Sequence, residues 1–552
     1  MPLQSPTQKR EEELEKKLKE IGTREKEKQY SALAEKIGLP FSSLRGVPID
    51  TDSLNILGEE TATKSGLAVI YKTGLKLSIA TTDPRNKEAQ KVIEDLKARG
   101  FSVDIFITTP EGLKSVLVRY KTSKLNVFKV GAIDINEEEL TQLQEQIEDL
   151  GDLKNKLQII SVTKLLEILI AGALKTRASD IHFESGTNDA RLRYRLDGIL
   201  HDIANLDFEY YIKILNRVKI LSKMKLNIHD TPQDGRFTIK QKSVDIEVRV
   251  SIIPSEFGET VVMRLLDPRT IKSTLEDLGI RKDILETINK QLQKKTGAIM
   301  ASGPTGAGKT TTLYAFVNYL NGPGTKIITI EDPIEYHVKN ISQTQVNPKK
   351  GYTFANGLRA IVRQDPNIIL VGEIRDIETA EIALHAALTG QMVLSTIHTN
   401  NAAGVVPRLI DLGIRPQTIA PAINLTIAQR LIRRLCSNCK KPSKPLATEI
   451  KKIKEMLEPV EKRFDLPPIN ASLKTYVAGK CKECNFSGYR DRVGVFELFV
   501  VSKNIEKLIL SSPSTTEIEE MAIAEGMVTM LQDAYLKLLD GIVSFEEIER
   551  AL

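Results

Sequence analysis

Residues 303–310 read Gly-Pro-Thr-Gly-Ala-Gly-Lys-Thr, the GxxxxGK[ST] spacing of a phosphate-binding loop. Each residue type there has a physical task. Gly303, Gly306 and Gly308 let backbone N–H groups curl around phosphate oxygens, with Pro304, Thr305 and Ala307 completing the loop. Lys309 meets the charge of the β/γ-phosphates, the Thr310 hydroxyl is placed to ligate Mg²⁺, and Thr311 follows on the helix. The flanks are those the chemistry requires, an apolar strand over 297–302 and a helix over 309–321. A Gly-rich turn is the other reading of the string.

Nucleotide turnover needs more than a cradle: a carboxylate to direct water and a cation to meet the charge that develops. Two later segments supply carboxylates at the ends of expected strands, IITIEDPIEY with Glu331, Asp332 and Glu335, and NIILVGEIRD with Glu373. In a parallel sheet the carboxyl ends of strands face one crevice, so both groups can reach a γ-phosphate. A third strand, MVLSTIHTNNA, ends at His398, either a packing residue or a phosphate sensor beside the same crevice. Upstream, Arg191, Arg193 and Arg195 alternate along one expected strand, and Arg236 and Arg249 lie on two strands of an expected hairpin. Their choices are salt-bridged strand surfaces or cations delivered to the phosphate from another domain.

The second chemistry is thiolate. Cys436-Ser-Asn-Cys439 and Cys481-Lys-Glu-Cys484 use every cysteine of the chain and suit a closed, four-sulfur structural Zn²⁺ site. A redox pair is the alternative, with nothing thioredoxin-like around either CxxC. Residues 440–480 separate the pairs, a long insert in which Pro-rich ends flank EIKKIKEMLEPVEKRF and which can loop out without disturbing the ligands. Just upstream, QRLIRRL places Arg430, Arg433 and Arg434 at i, i+3 and i+4, an exposed face paired with acids or a subunit contact.

These residues need several domains to position them, and 552 residues allow three or four. Seventy-eight Lys and Arg against 72 Asp and Glu leave a net charge of +6, too balanced for a dedicated nucleic-acid arm, and aromatics at 5% with no Trp disfavour stacking platforms. Four cysteines, a first segment without an apolar run, and a longest charge-free stretch (382–407) full of polar residues point to a cytoplasmic protein recruited to any membrane it serves. The pattern divides the chain into five parts. Residues 1–28 form a charged arm with Leu14, Leu18 and Ile21 on one helical face, either solvated or partner-docking. Residues 29–124 alternate short strands and helices as an N-terminal α/β docking domain, and 125–152 read as a partly helical linker. Residues 153–275 form a second α/β domain, with a hairpin turning at Asp197-Gly198. Residues 276–552 alternate strands and helices as a parallel sheet, interrupted by the cysteine element 436–484 and closed by helices over 502–552 broken at Gly526 and Gly541.

The order GPTGAGKTT, ITIEDPIEY, RQDPNIILVGEIRD and STIHTNNA resembles the Walker A, Asp box, Walker B and His box of the secretion ATPase superfamily, the motors of type II secretion and type IV pili. ASDIHFE, RLRYRLDG, QDGRF, VRVSIIPSEFGETVVMRLLD, QRLIRRLC and GYRDRVGVFEL are similar to further segments of that family, so the resemblance runs from about residue 153 onward. Residues 30–124 resemble, more loosely, the N-terminal domain of the pilus-assembly and export members, the PilB and GspE types. The resemblance implies a RecA-like P-loop core preceded by a smaller PAS-like α/β domain, and a Mg²⁺-dependent, hexameric ATPase. It implies that Glu335 activates water, that Glu373 is the Walker B acid, and that Arg236 and Arg249 reach the γ-phosphate when the second domain closes. Gly372 stands where most P-loop enzymes carry a metal-linked Asp, and Gln391 where close relatives often have His. The implied partner is a platform protein of the cytoplasmic membrane, with pilus assembly the first reading, type II secretion the second, and a nucleic-acid translocase the rival from another class.

Overall fold

The structure is a computed structural model that describes residues 25–44, 51–54, 56–73, 76–125, 132–134, 162–240, 244–270 and 274–552. Most of the charged arm, with Leu14, Leu18 and Ile21, and the linker apart from residues 125 and 132–134 lie outside these residues. The chain forms two compact units, Met1–Lys129 and Val130–Leu552. Among the described residues no helix is long and apolar enough to cross a membrane.

In the first unit, β1 (Leu67–Thr73) runs antiparallel to β2 (Lys76–Thr81), and β2 pairs in parallel with β3 (Ser102–Ile107). The β2–β3 crossover is the amphipathic helix Lys87–Ala98, started by Asn86, whose side chain accepts from the Glu88 amide. It buries Ala89, Ile93 and Leu96 at i, i+4 and i+7. The first described helix covers residues 25–37 and so runs without a break past residue 28, where the charge pattern ends the arm.

The second unit opens with a seven-stranded sheet. Its strands are β4 (Ala132–Asp134), β5 (Asp180–Ser185), β6 (Asp189–Leu196), β7 (Ile199–Asp207), β8 (Gln233–Lys240), β9 (Ile246–Ser255) and β10 (Gly258–Leu266), in the spatial order β4-β8-β9-β10-β5-β6-β7. The expected hairpin turns where foreseen. Asp197 and Gly198 both take positive φ, 48° and 88°, the two-residue geometry that matches strand twist. Within the expected linker, residues 132–134 pair in parallel with Thr238–Lys240 of β8 and cover an edge that would leave backbone groups open. Helices Val162–Lys175 and Phe208–Leu221 pack on one face over Ile181, Phe183, Leu192, Tyr194, Phe237, Val248 and Met263.

A second seven-stranded sheet follows. β11 (Gly297–Ser302), β12 (Ile327–Glu331), β13 (Ser342–Gln345), β14 (Ile368–Val371), β15 (Met392–Ile397) and β16 (Ile423–Leu435) are parallel, in the order β13-β12-β14-β15-β11-β16. Helices cover both faces, so the central strands β11, β12, β14 and β15 are buried throughout. In β11, Ala298 and Met300 face one core and Ile299 and Ala301 the other. After the cysteine element, with its small pair β17 (Lys441–Ser443) and β18 (Thr475–Val477), strand β19 (Tyr489–Val500) returns antiparallel to β16. Four helices between Lys503 and Ala551 close the chain, with Gly526 and Gly541 at positive φ between them.

Two expectations change here. The insert does not loop out: helix Ala447–Leu457 buries Ile453 and Leu457 in the main core, Val460 and Leu473 join them, and Gln532 Nε2 donates to Met456 O. An amphipathic helix in a loop would leave that apolar stripe in water. The three arginines of QRLIRRL do not lie on one face, because this end of β16 is a strand paired with β19 and period two separates Arg433 from Arg430 and Arg434. Arg430 donates to Ala551 O at 3.0 Å, and Arg433 grips Glu547.

Candidate nucleotide site and four-cysteine centre

The loop 303–308 leaves β11 at the carboxyl edge of the parallel sheet and enters the helix Lys309–Leu320. Gly303 has φ of 136°, and a Cβ there would stand 2.5 Å from Gln429 O, so a side chain is excluded on both counts. Lys309 Nζ donates to Gly303 O at 2.7 Å and Pro304 O at 3.1 Å. Burial lowers the Lys309 pKa, and the nearby Glu373 charge partly restores it. Thr310 is exposed at the helix N-terminus, beside backbone N–H groups that attract anions. Gln429 of β16 escaped the sequence reading: buried, it donates from Nε2 to Ala307 O at 2.8 Å and accepts from Thr312 Oγ1 at 2.8 Å, bracing the loop and its helix together. Its signal was faint, one of several polar residues along the strand.

The neighbouring strand ends sort the acids by environment. Glu331 is buried and accepts from Tyr314, Thr329 and Gln343. Glu335, four residues on, turns to the surface and meets a cation instead. Glu373, after β14, lies between Arg375 and His398, with His398 Nε2 3.3 Å from its carboxylate. Arg375 was not singled out from the sequence, although it sits two residues beyond Glu373. Gln391 precedes β15 and His398 follows it, so about 20 Å of strand separates them, and they cannot attend one phosphate within one subunit.

Arg249 crosses from the second domain's sheet to this edge. Its Nη1 donates to Glu335 Oε2 at 2.8 Å, and Nη2 donates to Ile334 O. Register places Arg236 directly opposite Arg249, and Arg264 opposite it on the other side. Three arginines therefore line up across β8, β9 and β10. Like charges so placed repel, and two acids relieve them: Glu247 lies 3.7 Å from Arg236 and 3.6 Å from Arg249, while Asp180 accepts from Arg264 at 2.9 Å. Arg264 was missed because only register shows it in line. Arg236 stays exposed and does not reach the crevice in this conformation. Arg191, Arg193 and Arg195 pair with Asp202, Glu184 and Asp180, the strand-surface alternative.

The cysteines converge. All four Sγ atoms lie within 4.8 Å of one another, with Cys436–Cys481 at 3.8 Å, Cys439–Cys484 at 3.7 Å and Cys481–Cys484 at 3.6 Å. Four sulfurs about 2.3 Å from a central tetrahedral ion stand about 3.8 Å apart, whereas a disulfide needs about 2.05 Å. The donor set and spacing fit one four-coordinate metal ion with no open position. The Gly488 amide donates to Cys484 Sγ at 3.2 Å, the kind of hydrogen bond that settles negative sulfur.

Comparison with known proteins adds the lineage. The family described as Type II/IV secretion system protein matches residues 155–550. The chain is 34% identical over 534 residues to the type IV pilus assembly ATPase PilB of Myxococcus xanthus, covering 96% of this chain and 92% of that one. It is 38% identical over 418 residues to the type II secretion system ATPase E of Vibrio cholerae, covering 76% and 80%. Among solved structures, the ATPase DotB of Legionella pneumophila superposes with a TM-score of 0.51 at 22% identity over 71% of this chain and 96% of that one, a likeness of RecA-like fold. With the phosphate loop, the strand-end acids and matches of this length in agreement, the chain belongs to the Type II/IV secretion system protein family, as an ATP-hydrolysing member of it.

Proposed function

We propose that the chain is the cytoplasmic motor of type IV pilus assembly, a homohexamer that passes the work of ATP hydrolysis to a platform protein of the inner membrane. The observation that carries the choice of pilus is length: the Myxococcus pilus relative aligns over 96% of this chain, including the N-terminal unit, against 76% for the Vibrio secretion ATPase. Type II secretion is the second reading, favoured by the higher identity of that shorter match, 38% against 34%.

In this reading the backbone of 303–308, Lys309 and Thr311 hold the triphosphate, and Thr310 holds Mg²⁺. Thr310 would hold the ion without help from residue 372, a Gly that offers no carboxylate. Glu335 takes the proton of the attacking water as its oxygen bonds to the γ-phosphorus and the bond to the bridging oxygen of ADP breaks. Glu373 and His398 face the same phosphate. Arg249, paired with Glu335 here, finds a more negative partner in the γ-phosphate, and its shift frees the carboxylate while drawing the second domain inward. Arg236 joins on closure. Zn²⁺ on Cys436, Cys439, Cys481 and Cys484 is structural, and nucleic acid is not a partner.

The test is a chromosomal Glu335→Gln strain scored for surface pili and for secreted proteins. Lost pili with intact secretion is expected. Intact pili, or a secretion defect alone, moves the assignment to export. ATPase stimulation by DNA would revive the translocase.

A further inference from the structure

The back of the Glu335 loop holds a group that the nucleotide chemistry leaves unused. Glu331 closes β12 there with a fully enclosed carboxylate, 3% exposed, yet no cation is paired with it among the described residues. Its three donors come from three elements. Tyr314, on the helix that begins at Lys309, donates its hydroxyl to Oε2; Thr329 of β12 donates to Oε1; and Gln343 Nε2 of β13 donates to Oε1 at 3.2 Å.

Two of these donors also hold the loop that carries Glu335. Burial and the Glu331 charge raise the Tyr314 pKa, and the nearby Glu335 main chain draws it partly back, so the phenol lies between the Glu331 carboxylate and the Glu335 loop. Gln343 donates to Tyr336 O at 3.1 Å and accepts from the Val338 amide at 2.8 Å, closing the far side of the loop. Tyr336 packs its ring 4.3 Å from that of Tyr314, while its own buried hydroxyl has no partner, so the polar hold on the loop falls to Glu331 and its donors.

We propose that Glu331, Tyr314 and Gln343 form a positioning unit that ties the placement of Glu335 to the phosphate-loop helix, so that helix and water-directing carboxylate move as one body. The inference rests on Glu335 being that carboxylate. The Glu331 carboxylate is turned inward to Tyr314, Thr329 and Gln343 and acts through the loop.

Tyr314→Phe keeps the ring and removes the hydroxyl. In the full-length chain it should lower kcat about tenfold while KM for ATP changes less than about twofold, because the cradle is intact and only the carboxylate is loosened. Gln343→Leu, on an edge strand, should do the same and decides the matter if Tyr314→Phe fails to fold. In a Glu335→Gln background neither change should cost anything further. Unchanged kcat in both single variants, or kcat and KM worsening together with a fall in melting temperature, overturns the positioning unit. Glu335→Gln retaining full turnover overturns instead the reading on which it rests.

Discussion

Glu331 and Glu335 are four residues apart in one strand-end motif, and their surroundings give them opposite uses. One is enclosed by hydroxyl and amide donors, and the other faces a guanidinium from a different domain. Arg249 is therefore the residue whose loss should separate chemistry from binding. Arg249→Ala is expected to reduce kcat by about 10²-fold or more with ATP affinity little changed, by removing charge stabilisation that only the transition state uses fully. Steady-state kinetics beside a nucleotide-binding titration checks it; unchanged turnover counts against it. Gln429→Ala should show the reverse pattern. It leaves Ala307 O and the Thr312 hydroxyl without their partner, loosening the cradle, so KM for ATP should rise about fivefold or more and stability fall by about 1–3 kcal/mol, read by kinetics and thermal melting.

At the scale of elements, the last helix, Phe545–Ala551, is pinned to β16 by one carboxylate. Glu547 is fully buried and accepts from the Arg433 amide and guanidinium and from Arg550. Burial alone would raise its pKa, but Arg550 and Arg433 outweigh burial and bring it below the ordinary 4.5. The sign follows from linkage: a carboxyl depressed in the folded state stabilises fully above its unfolded value and loses that contribution as pH falls through the depressed one. Denaturant unfolding measured from pH 7 down through pH 4 and below should show stability falling in the acid range, and Glu547→Gln should flatten that part of the profile. An unaltered slope in the variant would remove Glu547 from the account. The same element explains the misread arginines. Helical spacing at 430, 433 and 434 is a local pattern, and pairing of this end of β16 with β19 overrides it.

Over the whole molecule, β16 runs from its register with the phosphate-loop strand to Leu435, next to Cys436, and the insert between the cysteine pairs folds back into the core. Removing the metal should therefore loosen more than a surface knuckle. Protein purified without chelator should carry one Zn²⁺ per chain, and stripping it, or Cys436→Ser, should lower the melting temperature by at least about 5 °C. Absence of zinc, or melting indifferent to chelation, would reject the site. The phosphate loop, the strand-end acids, the cysteine quartet and the Asp197-Gly198 turn were legible in the chain because their chemistry is set by residue type at fixed short spacing. The parallel sheet was legible too, through apolar strands alternating with helices. What only the tertiary structure decided were relations between segments far apart in sequence: Arg264 in line with Arg236 and Arg249, Gln429 under the phosphate loop, Glu331 facing inward while Glu335 faces out, and the insert in the core. Strand register and the choice of buried face depend on which surfaces meet, and local spacing carries no record of that.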